Sequence, residues 1–498
     1  MNRQITKLAV VSLILLAALI VGTTYWQTWA SAGLAEKQDN AIQRVAQFRI
    51  KRGIIRAADG TVLATNVRRR VNGQTLYFRR YPTGRLFANL VGYSTQVRSR
   101  AGLEQSENAY LTSSNANLST IFNKTLDKIK GVTITGNDLV LSVRPSVQRL
   151  AMQQLAGKCG AAVVMNPKTG KVYALATQPS YNPNLVENHF NQIRTTNAAC
   201  QPASPLLNRA TAGLFTPGST FKVVTATAAL NSHKFTPEST FYDPGYCVEY
   251  GKQVSNAASP DGPVEAFGHP TLAQGLQHSI NSVFCNVGKA IGAGLILDYM
   301  KKYGFYKDPP IETPANEKAA SGLYNGGRLF FPSHPSTQVD PGRMAFGQER
   351  LAVTPLQMAM VAATVANRGV EMEPQVLNRV VDSHGHTIVR VEPRKLGRVM
   401  SPQTAREINS MMVAAVNDGT GGAAAIPGIS VAGKTGTAET GTSGINTTWF
   451  ISFAPADNPK VAVAVALQNQ TGFGGTTAAP IAKLLMQAVL NPRSNKTH

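Results

Sequence analysis

The chain has 498 residues, of which 43% are hydrophobic and 15% charged, with no long low-complexity tract and no repeat at solenoid spacing. That composition fits a globular protein of two or three domains and excludes a fibrous or repeat array. Its formal charge of +22 calls for an anionic surrounding or partner. The basic residues are densest at Arg68-Arg69-Arg70 and Arg79-Arg80, with Arg98 and Arg100 further on. No zinc-finger spacing or RNP-type aromatic motif accompanies them, so a solvated basic face is read there, not a nucleic-acid site.

Residues Leu8 to Trp26 are almost wholly apolar and uncharged, and Arg3 and Lys7 precede them. A helix of this length spans about 30 Å, the thickness of a bilayer core. The flanking charges predict a cytoplasmic N-terminus and export of everything after it. Ala30-Ser31-Ala32 also resembles a signal-peptide cleavage site. The length of the run, with Tyr25, Trp26 and Trp29 as an interfacial belt, favours a retained anchor over residues 1–29.

Residues 30–155 read as an elongated α+β pedestal. A helix is predicted from 30 to about 48, and two short strands meet at Asp59-Gly60 within Arg52 to Ala64. Further short strands, a partly helical stretch from Ser106 to Ile129, a strand within Val132 to Val143 and a helix from Pro145 to Leu155 follow. Little chemistry concentrates there.

Residues 156–491 read differently, leaving 492–498 as a tail. Ala161 to Met165 and Val172 to Ala176 are apolar strands flanking Asn166-Pro167-Lys168-Thr169-Gly170, a buried hairpin. Helices are predicted after Pro217-Gly218, over Thr271 to Gln277, over Ser282 to Ile291 and from Pro355 through Ala366. Ile429 to Ala432, Trp449 to Ala454 and Val461 to Leu467 read as strands, and Pro480 opens a terminal helix. Strands at both ends with helices between them imply one domain whose sheet joins its two ends.

Three short motifs stand in order: Ser219-Thr220-Phe221-Lys222, Ser279-Ile280-Asn281 and Lys434-Thr435-Gly436. Ser219 lies near a helix start, where free backbone N–H groups favour developing negative charge. Lys222 lies one turn on, on the same face. A hydroxyl and an amine so placed form a nucleophile–base pair if burial or a nearby positive charge keeps the amine neutral. A serine cap followed by a solvated lysine would carry the same letters. Taken singly, the other two motifs read as a helix cap and a strand end.

Together, and in this order, the motifs match the S-x-x-K, S-x-N and K-T-G set of the penicillin-recognising serine acyltransferases. The chain resembles a class B penicillin-binding protein, a monofunctional peptidoglycan D,D-transpeptidase. Thr271 to Leu276, Thr354 to Ala359, Arg52-Gly53-Ile54-Ile55, Tyr81-Pro82-Thr83-Gly84 and Gly102-Leu103-Glu104 are family-like too. The short pedestal, Ala203 to Arg209 and Gly474 to Pro480 look most like the actinobacterial penicillin-binding protein A type. No glycosyltransferase domain fits before residue 155. Ile280 departs from the family's usual Cys, Ser or Asp, at a position whose side chain points away from the substrate.

The resemblance implies an α/β (α+β) acyltransferase domain whose antiparallel sheet is flanked by helices. It implies that Ser219 attacks a D-alanyl-D-alanine carbonyl, with Lys222 as base, Ser279 as proton relay, Asn281 holding the substrate amide and Lys222, and Lys434 supplying positive charge. Thr435, Gly436 and Thr437 would bind the substrate, and the N–H groups of Ser219 and Thr437 would form the oxyanion hole. Stem peptides of peptidoglycan and β-lactams are the implied ligands, with no cofactor, metal or nucleic acid. The membrane is contacted through the single-pass anchor; a membrane glycan polymerase and other division proteins are the protein partners this reading leaves open. A D,D-carboxypeptidase and a non-enzymatic wall-assembly scaffold or penicillin sensor are the alternatives.

Two patterns compete with this reading. Gly428 to Thr435 matches the G-x-x-x-x-G-K-[ST] phosphate loop, but its spacer is strand-like and no helix is predicted after it. Glu373 to Asn378 faintly resembles the deacylating loop of class A β-lactamases, one residue too long and far from Ser279; it reads as loop into strand. The four cysteines, Cys159, Cys200, Cys247 and Cys285, allow three pairings in an exported chain. Cys247 with Cys285, beside the second motif, is the pairing favoured.

Overall fold

The computed structural model describes residues 2–25, 47–114, 135–256 and 264–491. The helix predicted before residue 48, the candidate cleavage site and most of the partly helical stretch from Ser106 to Ile129 lie outside these residues. The first helix, α1 (Asn2–Tyr25), has a mean hydropathy of 2.2 over Thr6–Thr23, with none of that window buried. It is long and apolar enough to cross a membrane.

Strands β1 (Ile55–Arg56), β2 (Val62–Val71), β3 (Gln74–Arg80) and β4 (Asp138–Leu141) come next, followed by helix α2 (Pro145–Gln154). The second part opens on the hairpin β5 (Cys159–Met165) and β6 (Val172–Gln178). It continues through helices α3 (Lys222–Asn231), α4 (Leu272–Gln277), α5 (Asn281–Lys302) and α6 (Pro355–Ala366). Strands β7 (Leu377–Val381) and β8 (Thr387–Arg390) and helix α7 (Pro402–Asn417) lead to β9 (Ala432–Glu439), β10 (Asn446–Ala454), β11 (Val461–Gln470) and α8 (Ala479–Leu490).

The first sheet has the order β8-β7-β4-β1-β2-β3. Its β1–β2 turn falls at Asp59-Gly60, where Gly60 takes φ +87°. The stretch after Glu373 enters this sheet as β7, a loop into strand. A buried ion triad holds the near end of the sheet. Glu104 is fully buried and receives Arg52 at 2.8 Å and Arg79 at 2.6 Å, and Arg52 also donates to Asn108 Oδ1 at 2.7 Å. Burial pushes the Glu104 carboxyl up, but the two guanidinium charges and their hydrogen bonds outweigh it and hold the group below the usual range. Arg68, Arg69 and Arg70 are exposed, as a solvated basic face requires. Arg79 is not part of that face, because its guanidinium turns inward to Glu104.

The second sheet, β9-β10-β11-β5-β6, is antiparallel throughout and joins the two ends of the region from 159 to 490 at the β11–β5 pairing. Its residues alternate between two cores, as the period of a strand dictates. Ala161, Val163 and Met165 of β5 and Trp449, Ile451 and Phe453 of β10 face the core that holds α3, α5 and α6. Ala162, Val164, Phe450, Val463 and Val465 face the core that holds α2 and α8. Buried on both faces, these strands read as continuous apolar runs. Helix α6 is buried along its whole length, and Thr354 caps it by accepting from Gln357 N. Helix α5 also has the length of a membrane span, but 61% of it is buried inside the domain.

Candidate active site

The segment of the first motif is a 3₁₀ turn, Gly218–Phe221, and the α-helix proper begins at Lys222. The sequence placed the helix start nearer Ser219. The difference matters: in a 3₁₀ turn side chains three apart eclipse, so Ser219 and Lys222 project in one direction. Gly218 takes φ +52°, donates to Gly347 O at 3.1 Å, and lies so close to β9 that a Cβ would sit 2.6 Å from Thr437 O. Only glycine meets both demands. Ser219 is half-buried and lines a cavity of about 760 Å³.

The second motif lies in the turn between α4 and α5. A capping box of Thr271 and Gln274 starts α4. Ser279 then takes φ +62°, a left-handed conformation uncommon for serine, and Ile280 N donates back to Gly275 O at 2.9 Å. This geometry turns the Ser279 carbonyl and hydroxyl toward Lys222. The amine of Lys222 donates to Ser279 O at 2.6 Å and Asn281 Oδ1 at 2.8 Å, with Ser279 Oγ at 3.4 Å. Ile280, the departure from the family pattern, is buried in the core and also borders the cavity.

The third motif lies within β9. Lys434 Nζ donates to Ser279 Oγ at 2.8 Å and to Thr435 O at 3.2 Å. Gly436 has no room for a side chain: a Cβ would stand 2.7 Å from Pro217 O and 2.9 Å from Thr220 Cγ2. Thr437 Oγ1 accepts from Gly474 N at 3.2 Å, which leaves its own proton to offer to the cavity. Lys434 and Thr435 lie in mid-strand, and β10 follows β9. The phosphate-loop pattern therefore lacks both the loop and the helix it needs.

Both lysines are fully buried. Burial, and secondarily the charge of Lys434, drive the Lys222 amine well below its ordinary range. Burial brings Lys434 down to about 7. Two ammonium groups sharing one hydroxyl repel each other, so the pair holds one proton more easily than two, and the downward push is the stronger at Lys222. The site thus holds two buried amines whose pKa values are pushed down, the hydroxyl of Ser279 between them and a half-buried serine, a set suited to acyl transfer.

The model of the penicillin binding protein transpeptidase domain matches residues 160–487. The chain belongs to the class B penicillin-binding proteins. The penicillin binding protein A dimerisation domain matches residues 52–139. The peptidoglycan D,D-transpeptidase PbpA of Mycolicibacterium smegmatis is 32% identical over 523 residues, covering 99% of this chain and all of the relative. Its counterpart in Mycobacterium tuberculosis is 32% identical over 515 residues, covering 98% and 99%. The ceftriaxone acyl-enzyme of penicillin-binding protein A from M. tuberculosis superposes with a TM-score of 0.76 at 30% identity, covering 90% of this chain and all of that one. The penicillin G acyl-enzyme of the same protein gives 0.74 at 30% identity, covering 89% and 100%.

Of the residues singled out in this penicillin-binding protein's sequence, Ser219, Ser279, Asn281, Thr435 and Thr437 line one cavity, while Lys222 and Lys434 lie buried behind it on Ser279 and Gly436 sits against the turn before Ser219. Sequence reasoning missed Thr420, whose hydroxyl lies 2.7 Å from Thr435 Oγ1. It also missed Phe346, Gln348 and Phe473 in the cavity wall and the polar layer under Asn281. These come from loops with no motif of their own. The chain pairs Cys247 with Cys285, their Cα atoms 6.4 Å apart, and Cys159 with Cys200 at 5.9 Å.

Proposed function

We propose that this class B penicillin-binding protein cross-links peptidoglycan stem peptides through an acyl-enzyme on Ser219. The network of Lys222, Ser279, Asn281 and Lys434 beside that serine carries the reading. A neutral Lys222 amine, with two N–H groups donated to Ser279 O and Asn281 Oδ1, keeps its lone pair for the Ser219 proton. Ser219 Oγ attacks the carbonyl of the penultimate D-alanine, and the oxygen's charge develops against the N–H groups of Ser219 and Thr437. The C–N bond breaks, and the departing D-alanine amine takes a proton relayed through Ser279, which touches both lysines. An acceptor amine on a second stem peptide then attacks the ester and loses its proton to Lys222, which passes it to the departing Ser219 Oγ as the ester C–O bond breaks. Lys434, Thr435 and Thr437 receive the donor's terminal carboxylate, and Gly436 admits the strand to the nucleophile turn.

A β-lactam enters the same path, and its acyl group persists because the ring keeps the leaving amine attached. In support, penicillin-binding protein A of M. tuberculosis forms acyl-enzymes with ceftriaxone and penicillin G. We assign α1 to a retained single-pass anchor with its N-terminus in the cytoplasm, followed by an N-terminal domain from 30 to about 155 and the catalytic domain from 156. The resemblance to the penicillin-binding protein A type points to the septal wall as the place of work. A D,D-carboxypeptidase would differ only in using water in place of the acceptor amine. Mass spectrometry after treatment with a fluorescent penicillin tests the reading: the adduct is expected on the peptide bearing Ser219, and an adduct elsewhere, or none, rejects it.

A further inference from the structure

Beneath the second motif, Asp243 has its side chain closed off from solvent, with 1% of the residue exposed. It lies outside the cavity wall and has no part in the chemistry above. Four donors converge on its carboxylate. Gly245 N reaches Oδ1 at 2.9 Å, Ser282 Oγ reaches Oδ1 at 2.6 Å, and Phe267 N reaches Oδ2 at 2.9 Å. Asn256 Nδ2 lies 3.1 Å and 3.0 Å from the two oxygens. Burial alone would push this carboxyl up, but the hydrogen bonds led by Ser282 and Phe267 hold it below the ordinary range, so it is a fixed anion that only accepts.

We infer that Asp243 is a positioning residue that sets the orientation of the Asn281 amide and, through it, the Lys222 amine. The chain of contacts is continuous. Because the Asn256 NH₂ faces Asp243 and Glu265 O, its Oδ1 must face the other way, where it accepts from Ser282 N at 3.0 Å and caps α5. That pins Ser255, next in the chain, whose carbonyl accepts Asn281 Nδ2 at 3.0 Å. With its NH₂ held there, Asn281 can present only Oδ1 to Lys222, at 2.8 Å. Asp243 also holds Ser282, directly after Asn281, and Phe267, which lines the cavity. Removing the anion frees Asn256 to flip, which loosens the cap and lets the Asn281 amide turn.

The inference rests on the acyl-transfer reading, and its test keeps the two apart. Stopped-flow acylation by a fluorescent penicillin is split into the rate constant at saturation and the half-saturating concentration. Asp243→Asn is expected to lower the rate constant about tenfold or more, since misplacing a proton acceptor by a fraction of an ångström is enough. Its half-saturating concentration should change less than about twofold, and its final stoichiometry on Ser219 should match the parent. The swap Asp243→Asn with Asn256→Asp restores one anion and the bond between the two side chains, and should recover part of the rate. Acylation of Asp243→Asn at the parent rate, or a loss confined to the half-saturating concentration, would overturn the inference. If Asp243→Asn does not fold, Ser282→Ala decides: slower acylation at unchanged half-saturation supports the relay, and the parent rate rejects it. Failure of the parent itself to acylate Ser219 would instead reject the acyl-transfer reading.

Discussion

Lys222 and Lys434 meet on one hydroxyl: Ser279 Oγ is 3.4 Å from the first amine and accepts a hydrogen bond from the second at 2.8 Å. Two buried amines at one oxygen form a single titrating unit that holds one proton more easily than two. The charge belongs on Lys434, which also touches Thr435 O. The lone pair belongs on Lys222, next to the nucleophile turn.

Removing the charge at Lys434 should therefore be felt at Lys222. Lys434→Met keeps the length and apolar stem but takes away the like charge, so the Lys222 amine regains affinity for a proton. The acidic limb of the acylation–pH profile is expected to move to higher pH, with acylation slower at neutral pH. An unmoved limb would mean that burial alone sets the Lys222 protonation.

Gly436 tests how closely β9 must approach the nucleophile turn. Gly436→Ala introduces a methyl group 2.7 Å from Pro217 O and 3.1 Å from Trp449 Cβ. Both neighbours are held, Trp449 by its indole N–H to Thr216 O at 2.9 Å. Overpacking of this kind costs about 1–3 kcal/mol. It falls on the spacing between Ser219 and Thr437, so acylation should slow by about tenfold or more, and a variant that acylates at the parent rate would show that the spacing is not critical.

The Glu104 triad should matter for stability and not for chemistry. Glu104→Gln leaves Arg52 and Arg79 buried without their anion, a loss of about 3–5 kcal/mol. Thermal melting should register the loss, while the acylation rate of the folded fraction stays at the parent value.

Glu371 gives stability a pH dependence of known sign. It is 3% exposed, and among the described residues its Oε1 has no hydrogen-bond partner. Burial pushes its carboxyl up to about 8, against about 4.3 in an unfolded chain. Between these values the folded state holds a proton that the unfolded state has released, so this contribution to stability falls as pH rises through the window. Glu371→Gln should thus raise the melting temperature at pH 8 and change it little at pH 4. A gain equal at both values would place the effect elsewhere.

The strands and helices of the catalytic domain were legible because their patterns are strong. Apolar runs of five to seven residues marked β5, β6, β10 and β11, and Pro217-Gly218, Thr354-Pro355 and Pro480 marked turns and helix starts. The three motifs, whose Lys222 and Lys434 the structure brings together on Ser279, were legible because each is a short run of polar residues at fixed spacing. The 3₁₀ turn was not, since its cause is contact with Gly347 and Thr437, far off in the chain. Thr420 and Asp243 were invisible for the same reason: each acts through partners more than ten residues away, from loops without periodicity. Arg79 was misread as surface because a run of basic residues cannot reveal that one of them meets a buried Glu104.

The central claim is that a neutral Lys222 takes the proton of Ser219, and its most direct test is the rate of penicillin acylation in Lys222→Ala and Lys222→Arg. Alanine is the best helix former, so the first variant keeps α3, and circular dichroism checks both. Acylation by Lys222→Ala should slow about a hundredfold or more. Lys222→Arg should not restore it, because a guanidinium stays protonated and cannot accept a proton. Acylation of Ser219 at the parent rate by Lys222→Arg would contradict the account.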